Sequence, residues 1–293
     1  MITFIFLSYS LAWLIWIGLW LADVKLGEPI AQAGTILAMW MPAFAFFILK
    51  KRRSANMKLQ AQFSTNLKGC WRYYLLALWL PAVLSFLGAG LYYIVFSKQF
   101  SLGFETLREM LGRTGSPQIN IPIQIVIFAQ LFSALTYAPF LNSLFAIGEE
   151  IGWRGYLYPA LRKRFSIVQA HLLVGLIWSI WHLPINLQGY NYGLTYFAYP
   201  WLGVLAIFVF GFSLGVLSSW VMEKTNSIWA PALLHGAVNA IVGVGLLFQL
   251  PTEKALALRI LGPTPTGLLA VLPFLCLALA ILQKEKRETH EFR

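Results

Sequence analysis

The sequence predicts an all-α protein, a polytopic bundle of about eight membrane-spanning helices. Of its 293 residues, 59% are hydrophobic. Charge is scarce: 22 basic and 11 acidic residues cannot cover the surface of a soluble protein of this length. The apolar residues also fall in runs near 20 residues long, the length whose 1.5 Å rise per residue crosses a hydrocarbon core of ~30 Å. One bundle accounts for nearly every residue, so 1–293 reads as a single integral membrane domain.

Lipid offers the backbone no hydrogen-bond partner, so each run is expected to be helical. The first, Ile2–Ala22, stays uncharged until Asp23. A cleaved signal would start basic and carry an apolar core of about 7–15 residues, so this run reads as a retained span. Ile30–Leu49 and Tyr73–Phe96 give the next two. The fourth run, Ile121–Ala160, would make a rod of ~60 Å, which calls for a kink or break at Pro139 or near Gly148. It is either one crossing with a long extension or two shorter segments. Ile167–Leu187, Trp201–Met222, Ile228–Leu250 and Thr266–Gln283 complete the set. The first three spans and the Ser97–Asn120 connection carry no recognisable chemistry and read as packing and substrate-access elements. Cys70 and Cys276 lack metal-type spacing and read as a loop thiol and a buried apolar filler.

A net charge of +11 raises the question of nucleic acid, but the basic residues sit in short clusters between apolar runs, with no aromatic-studded basic groove. Membrane topology explains them better. If the fourth run crosses once, 16 Lys and Arg share one side, from the Lys50–Arg53 cluster to the tail. The other side holds six: Lys25, Lys98, Arg108, Arg113, Lys254 and Arg259. Eight crossings with both termini in the cytoplasm satisfy the positive-inside rule.

Chemistry concentrates in residues 121–250. Glu149-Glu150-x-x-x-Arg154, Trp178-x-x-x-His182 and His235-x-x-x-Asn239 lie on apolar helical stretches, where an ionisable group costs about 2.5–3.5 kcal/mol even on a lenient scale. Glu150 and Arg154 share a helix face and can pair, while Glu149 points about 100° away and is free for chemistry. The plainer reading, a salt-bridge cluster near a helix end, carries roughly equal weight for this motif alone. A lone histidine in an apolar helix is more often a hydrogen-bonded core residue than a catalyst, and His-x-x-x-Asn alone more often joins helices. Depth favours His182: counted from a turn at Arg164, it and Glu149 both lie roughly 22–27 Å along an antiparallel hairpin. His235 comes out shallower, about 10–12 Å from the Glu223-Lys224 turn. His171 and His290 read as interfacial or solvated.

Together these residues supply the parts of an acyl-transfer site. A glutamate can take a proton from water that an imidazole orients, and a second imidazole with an amide can hold the oxyanion.

Three such motifs in this order, on separate helices, resemble the CPBP intramembrane proteases, which include type II CAAX prenyl endopeptidases and Abi-type bacteriocin-processing or immunity proteins. The resemblance runs from about Gly148 to Asn239. It implies that Glu149 and His182 activate water, that His235 and Asn239 stabilise the oxyanion, and that Glu150, Arg154 and Trp178 support them. The second motif usually begins with Phe; Trp178 keeps an aromatic there, so a change in pocket shape rather than in chemistry is expected. A divalent metal such as zinc on Glu149, His182 and His235 stays open beside a metal-free glutamate mechanism. The substrate is expected to be a peptide or protein at the membrane, lipidated where it follows the family's prenylated class, reached through a cavity opening to the cytoplasm. Two other readings compete: a non-catalytic immunity or scaffold protein of the same fold, and a small-solute transporter. The intact quartet argues against the first, and the lack of internal repeats against the second.

Overall fold

Every apolar run forms a helix in the computed structural model, which describes residues 1–53, 58–59, 62–113 and 121–291. α1 (Ile2–Leu21) begins with the ring of Phe4 against Trp153 and Tyr156, at 5.9 and 4.9 Å. It ends beside the far end of the fifth run, where Trp13 Nε1 donates to the Trp181 carbonyl (2.9 Å) and Gln188 Nε2 to that of Trp16 (3.3 Å). α2 (Pro29–Met39) and α3 (Met41–Arg53) bring the chain back as one 24-residue apolar stretch, Pro29–Arg52. α4 (Leu67–Val95) starts with Cys70 Sγ on the Lys224 carbonyl and finishes with Tyr93 Oη on that of Gly245 (2.8 Å). α5 (Glu105–Arg113) is a short amphipathic helix beyond that far end.

The long fourth run is broken into two helices at a bend. α6 (Ile123–Leu135) and α7 (Ala138–Gly152) are separated at Thr136–Tyr137, and the pair is bent by 51°. The break falls just before Pro139, one of the two expected places. Proline lacks an N–H and disfavours a helical residue before it, so it opens α7 instead of interrupting it. At Gly148, the other expected place, the helix is continuous. A side chain there would meet the Met39 carbonyl and Trp40, so the glycine serves a close crossing of α7 with α2 and α3. α7 runs into a π-turn at Trp153–Leu157 and then α8 (Tyr158–Arg162).

Ser166 caps α9 (Ile167–Trp181) in a reciprocal capping box with Gln169. α9 stops at His182, just before Pro184, and α10 (Leu183–Asn186) leads into a Tyr-rich loop. α11 (Trp201–Thr225) returns to the basic turns, where Tyr158 Oη reaches Glu223 Oε1 at 3.5 Å. α12 (Trp229–Ile241), a 3₁₀ turn at Val244–Phe248, α13 (Glu253–Ala257) and α14 (Leu272–Glu291) complete the path. Among the described residues five helices are long and apolar enough to cross a membrane, or six with the bent pair. Eight is not reached on that measure for a local reason. α9 has 15 residues before its proline break, and α14 turns charged at Lys284.

Two sequence readings are corrected. Cys276 is exposed on the outside of α14, so it is no core filler, and Cys70 sits in the first turns of α4; both thiols are free. His171 is buried, its ring stacked on Tyr158 at 4.4 Å, because its face of α9 packs on α8. The side chain of His290 lies outside the described residues.

Candidate active site

The three motifs converge. Glu149, Trp178, His182, His235 and Asn239 all line one cavity of about 290 Å³ between α7, α9, α11 and α12. Two glycines make the convergence possible. Gly236, beside His235, lets α12 lie against the Pro139 carbonyl and Ser143 of α7. Gly211 of α11 leaves room for the Trp178 indole, which a side chain would strike. Small residues at helix crossings are how backbones approach where no hydrophobic force drives helices together in lipid.

Glu149 is nearly fully buried, and one oxygen, Oε2, accepts two indole N–H bonds, from Trp178 at 2.6 Å and Trp153 at 3.2 Å. Trp178 is therefore more than a shape-filling aromatic, contrary to the sequence expectation: phenylalanine has no N–H to offer the carboxylate. Trp153, four residues after Glu149, was not singled out from sequence, although that spacing puts it on the same face. Indoles hold a buried carboxylate without a neutralising cation and leave its second oxygen for the cavity.

Glu150 turns the other way, as the 100° rotation requires. Its Oε1 accepts from Arg154 Nη1 at 3.1 Å and contacts His235 Nδ1 at 2.7 Å, with both partners buried. An ionised carboxylate only accepts, so Nδ1 of His235 carries a proton and Nε2 is the ring atom left for the cavity. His182 is fixed likewise. Its Nδ1 lies 2.9 Å from the Trp178 carbonyl, which cannot donate, so Nδ1–H is the donor and Nε2 is again free. Outer hydrogen bonds of this kind set the tautomer and aim of an imidazole. Asn239, one turn beyond His235, is exposed at the cavity rim and brings amide donors there.

His235 is not shallower than its partners. Tyr158 meets Glu223, so the α11–α12 turn sits level with residue 158, about six residues deeper than the Arg164 turn. Six residues are ~9 Å of helix, and that offset accounts for most of the apparent mismatch.

Other lining residues come from spans read in the sequence as packing and substrate-access elements, Trp16 of α1 and Thr35 and Met39 of α2, and from Thr264 and Thr266 before α14. Isolated hydroxyls and indoles in apolar runs carry no spacing signal. Glu149, His182 and His235 share the cavity, yet among the described residues no three His, Cys, Asp or Glu side chains are placed to hold one metal ion.

The same stretch of chain is similar to known proteins. Residues 126–241 match the family described as type II CAAX prenyl endopeptidase Rce1-like. The chain is also similar to CAAX prenyl protease 2 of Methanococcus maripaludis, 33% identical over 102 residues, or 34% of this chain and 37% of the relative. That alignment spans little more than a third of the relative's length. The matched residues 126–241 hold α7, α9 and α12, the helices that carry the motifs, and over that stretch the chain is similar to the type II CAAX prenyl endopeptidase family.

Proposed function

We propose that the protein is an endopeptidase that hydrolyses a peptide bond in a membrane-associated peptide or protein. One observation carries the reading: Glu149, His182, His235 and Asn239, from three helices, line a single buried cavity. A water held between the free oxygen of Glu149 and Nε2 of His182 gives its proton to the carboxylate as its oxygen attacks the scissile carbonyl. The oxyanion is held by the Asn239 amide and Nε2–H of His235. His235 donates from Nε2 only as imidazolium, because Nδ1–H is already bound to Glu150. The Glu150 carboxylate beside it offsets that charge, and Arg154 keeps Glu150 in place. When the intermediate collapses, Glu149 returns its proton to the leaving amine, so no net proton is taken up at the site.

This route uses only the protein's own side chains. The test is cleavage of a membrane-tethered peptide library by the purified protein, comparing wild type with Glu149→Ala and His182→Ala, each with and without chelator. Loss in both variants and no effect of chelator is expected. Cleavage that survives both substitutions removes the site assignment, and cleavage that the chelator abolishes replaces the metal-free route with a metal-dependent one.

A further inference from the structure

We infer that the catalytic cavity is served from the non-cytoplasmic face of the membrane, so that its substrate is a polypeptide segment presented on that side. The inference rests on the protease reading and sharpens its substrate class.

The helices define two ends of the bundle. One is marked by the Arg162–Arg164 turn and by Glu223, which Tyr158 reaches; α4 starts there, with Cys70 on the Lys224 carbonyl. The start of α1, the end of α3 and the charged half of α14 lie there too. The other end carries the Tyr-rich loop, the 3₁₀ turn after α12 and the Thr264–Thr266 segment, joined where Tyr192 Oη donates to the Thr266 carbonyl at 2.8 Å.

The cavity belongs to the second end. From Glu149 and His235 its wall runs outward through Asn239, Gly243 and Leu246 on α12, Tyr190 and Asn191 on the loop, and Thr264. Tyr190 and Asn239, at the rim, are exposed. A second cavity of about 260 Å³ shares both of them and continues to Leu26 and Gly27 in the α1–α2 turn, also at that end. Toward the first end the way is closed: Trp153, Arg154, Leu157 and Leu161 are all buried beneath Glu149.

Charge assigns the ends to sides. Of the 16 basic residues grouped from sequence, Arg154 is buried in its pair and Arg293 lies outside the described residues. The remainder mark the closed end: Lys50–Arg53, Lys58, Lys68, Arg72, the Arg162–Arg164 turn, Lys224 and the Lys284–Arg287 stretch. The open end has six, interspersed with Asp23, Glu28, Glu105, Glu109 and Glu253. Lys and Arg in short loops near span ends are retained in the cytoplasm, so the closed end is cytoplasmic and both ordered termini with it. The cavity then opens away from the cytoplasm, opposite to the expectation from sequence. A substrate reaching Glu149 is a translocated or exported segment at the outer leaflet, and a tail confined to the cytoplasm does not reach it.

Two measurements on the full chain in a bacterial host test this. In a Cys70→Ser, Cys276→Ala background, Phe197→Cys marks the open end and Lys163→Cys the closed end. A membrane-impermeant maleimide is expected to label Phe197→Cys in intact cells and Lys163→Cys only after permeabilisation. The reverse pattern overturns the inference. Two single-span reporters carrying one cleavable peptide on either side of the membrane are then co-expressed. At least tenfold faster cleavage of the exported peptide is expected, and preferential cleavage of the cytoplasmic one overturns the inference. In detergent both peptides are reachable. A purified chain that cuts neither one there removes the protease reading, while the labelling pattern still decides the sidedness.

Discussion

The inner helices α11 and α12 and the helices that begin the chain are equally apolar but very differently packed. In the apolar 18-residue stretches of α11 and α12, 72% and 67% of residues are buried, against 22% in that of α1 and 39% in that of α2 with α3. The inner helices achieve this with glycines at crossings, such as Gly236 on α7, and spend the closeness on polar contacts. The outer helices turn large side chains outward, among them Leu14, Phe6 and Phe44. Hydropathy alone cannot separate these two roles, because lipid and a packed protein interior accept the same side chains. What separates them is where ionisable groups are held. Substitutions on the inner helices should therefore change chemistry, stability or both, and those on the outer helices should change neither or only binding.

The sharpest contrast is expected at Glu149→Gln. The amide oxygen can still accept from Trp178 and Trp153, so the thermal midpoint should shift little, while the general base is lost and kcat should fall about 10²–10⁴-fold. Single-turnover cleavage beside a melting curve checks it, and a variant that melts early instead assigns Glu149 to structure. Next comes Arg154→Met, which leaves Glu150 buried against only an imidazole. Removing one partner of a buried pair costs about 3–5 kcal/mol, so a lower midpoint in detergent is expected. Replacing both partners, Glu150→Leu with Arg154→Met, should recover most of that stability. Activity should stay low in the double variant, because His235 has lost the acceptor that sets its tautomer. Full activity there would show that the pair serves packing alone. Trp178→Phe is a smaller change: it removes one hydrogen bond to a charged group, worth about 1.5–3 kcal/mol. An approximately tenfold or greater fall in kcat, with KM nearly constant, is the expected reading of steady-state kinetics.

The fold class and the site were legible in the sequence for different reasons. Apolar run length reports helices directly, and the break in residues 121–160 follows from Pro139. Glu149, Glu150, Arg154, His182, His235 and Asn239 stood out because polar groups are conspicuous in apolar helices, and i,i+4 spacing told which of them share a face. The depth of His235 was misjudged because counting from turns assumes that turns are level, and the α11–α12 turn is recessed. The burial of His171 was missed because nothing in α9 marks which face meets α8. Trp153 and Trp178 were legible as aromatics, but their donation to Glu149 depends on rotamers that spacing does not encode. The direction in which the cavity opens needed the three-dimensional path of α12 past His235.

Trp16 tests the outer helices most finely, because it belongs to α1 and yet lines the cavity. Its ring packs edge-on against Trp181 at 4.7 Å and lies over His182 at 6.1 Å, while its buried Nε1–H has no hydrogen-bond partner among the described residues. An unsatisfied buried donor is a burden on the resting protein, of about 1–3 kcal/mol. Trp16→Phe keeps a ring against Trp181 and removes that donor, so the thermal midpoint should hold or rise slightly. If the N–H meets a carbonyl of the bound peptide, KM should rise a few-fold with kcat unchanged, the signature of binding shared equally by ground and transition states. A fall in kcat instead would place α1 in the chemical step and erase the division between inner and outer helices. Unchanged KM and kcat would leave α1 as lipid-facing packing that merely borders the site.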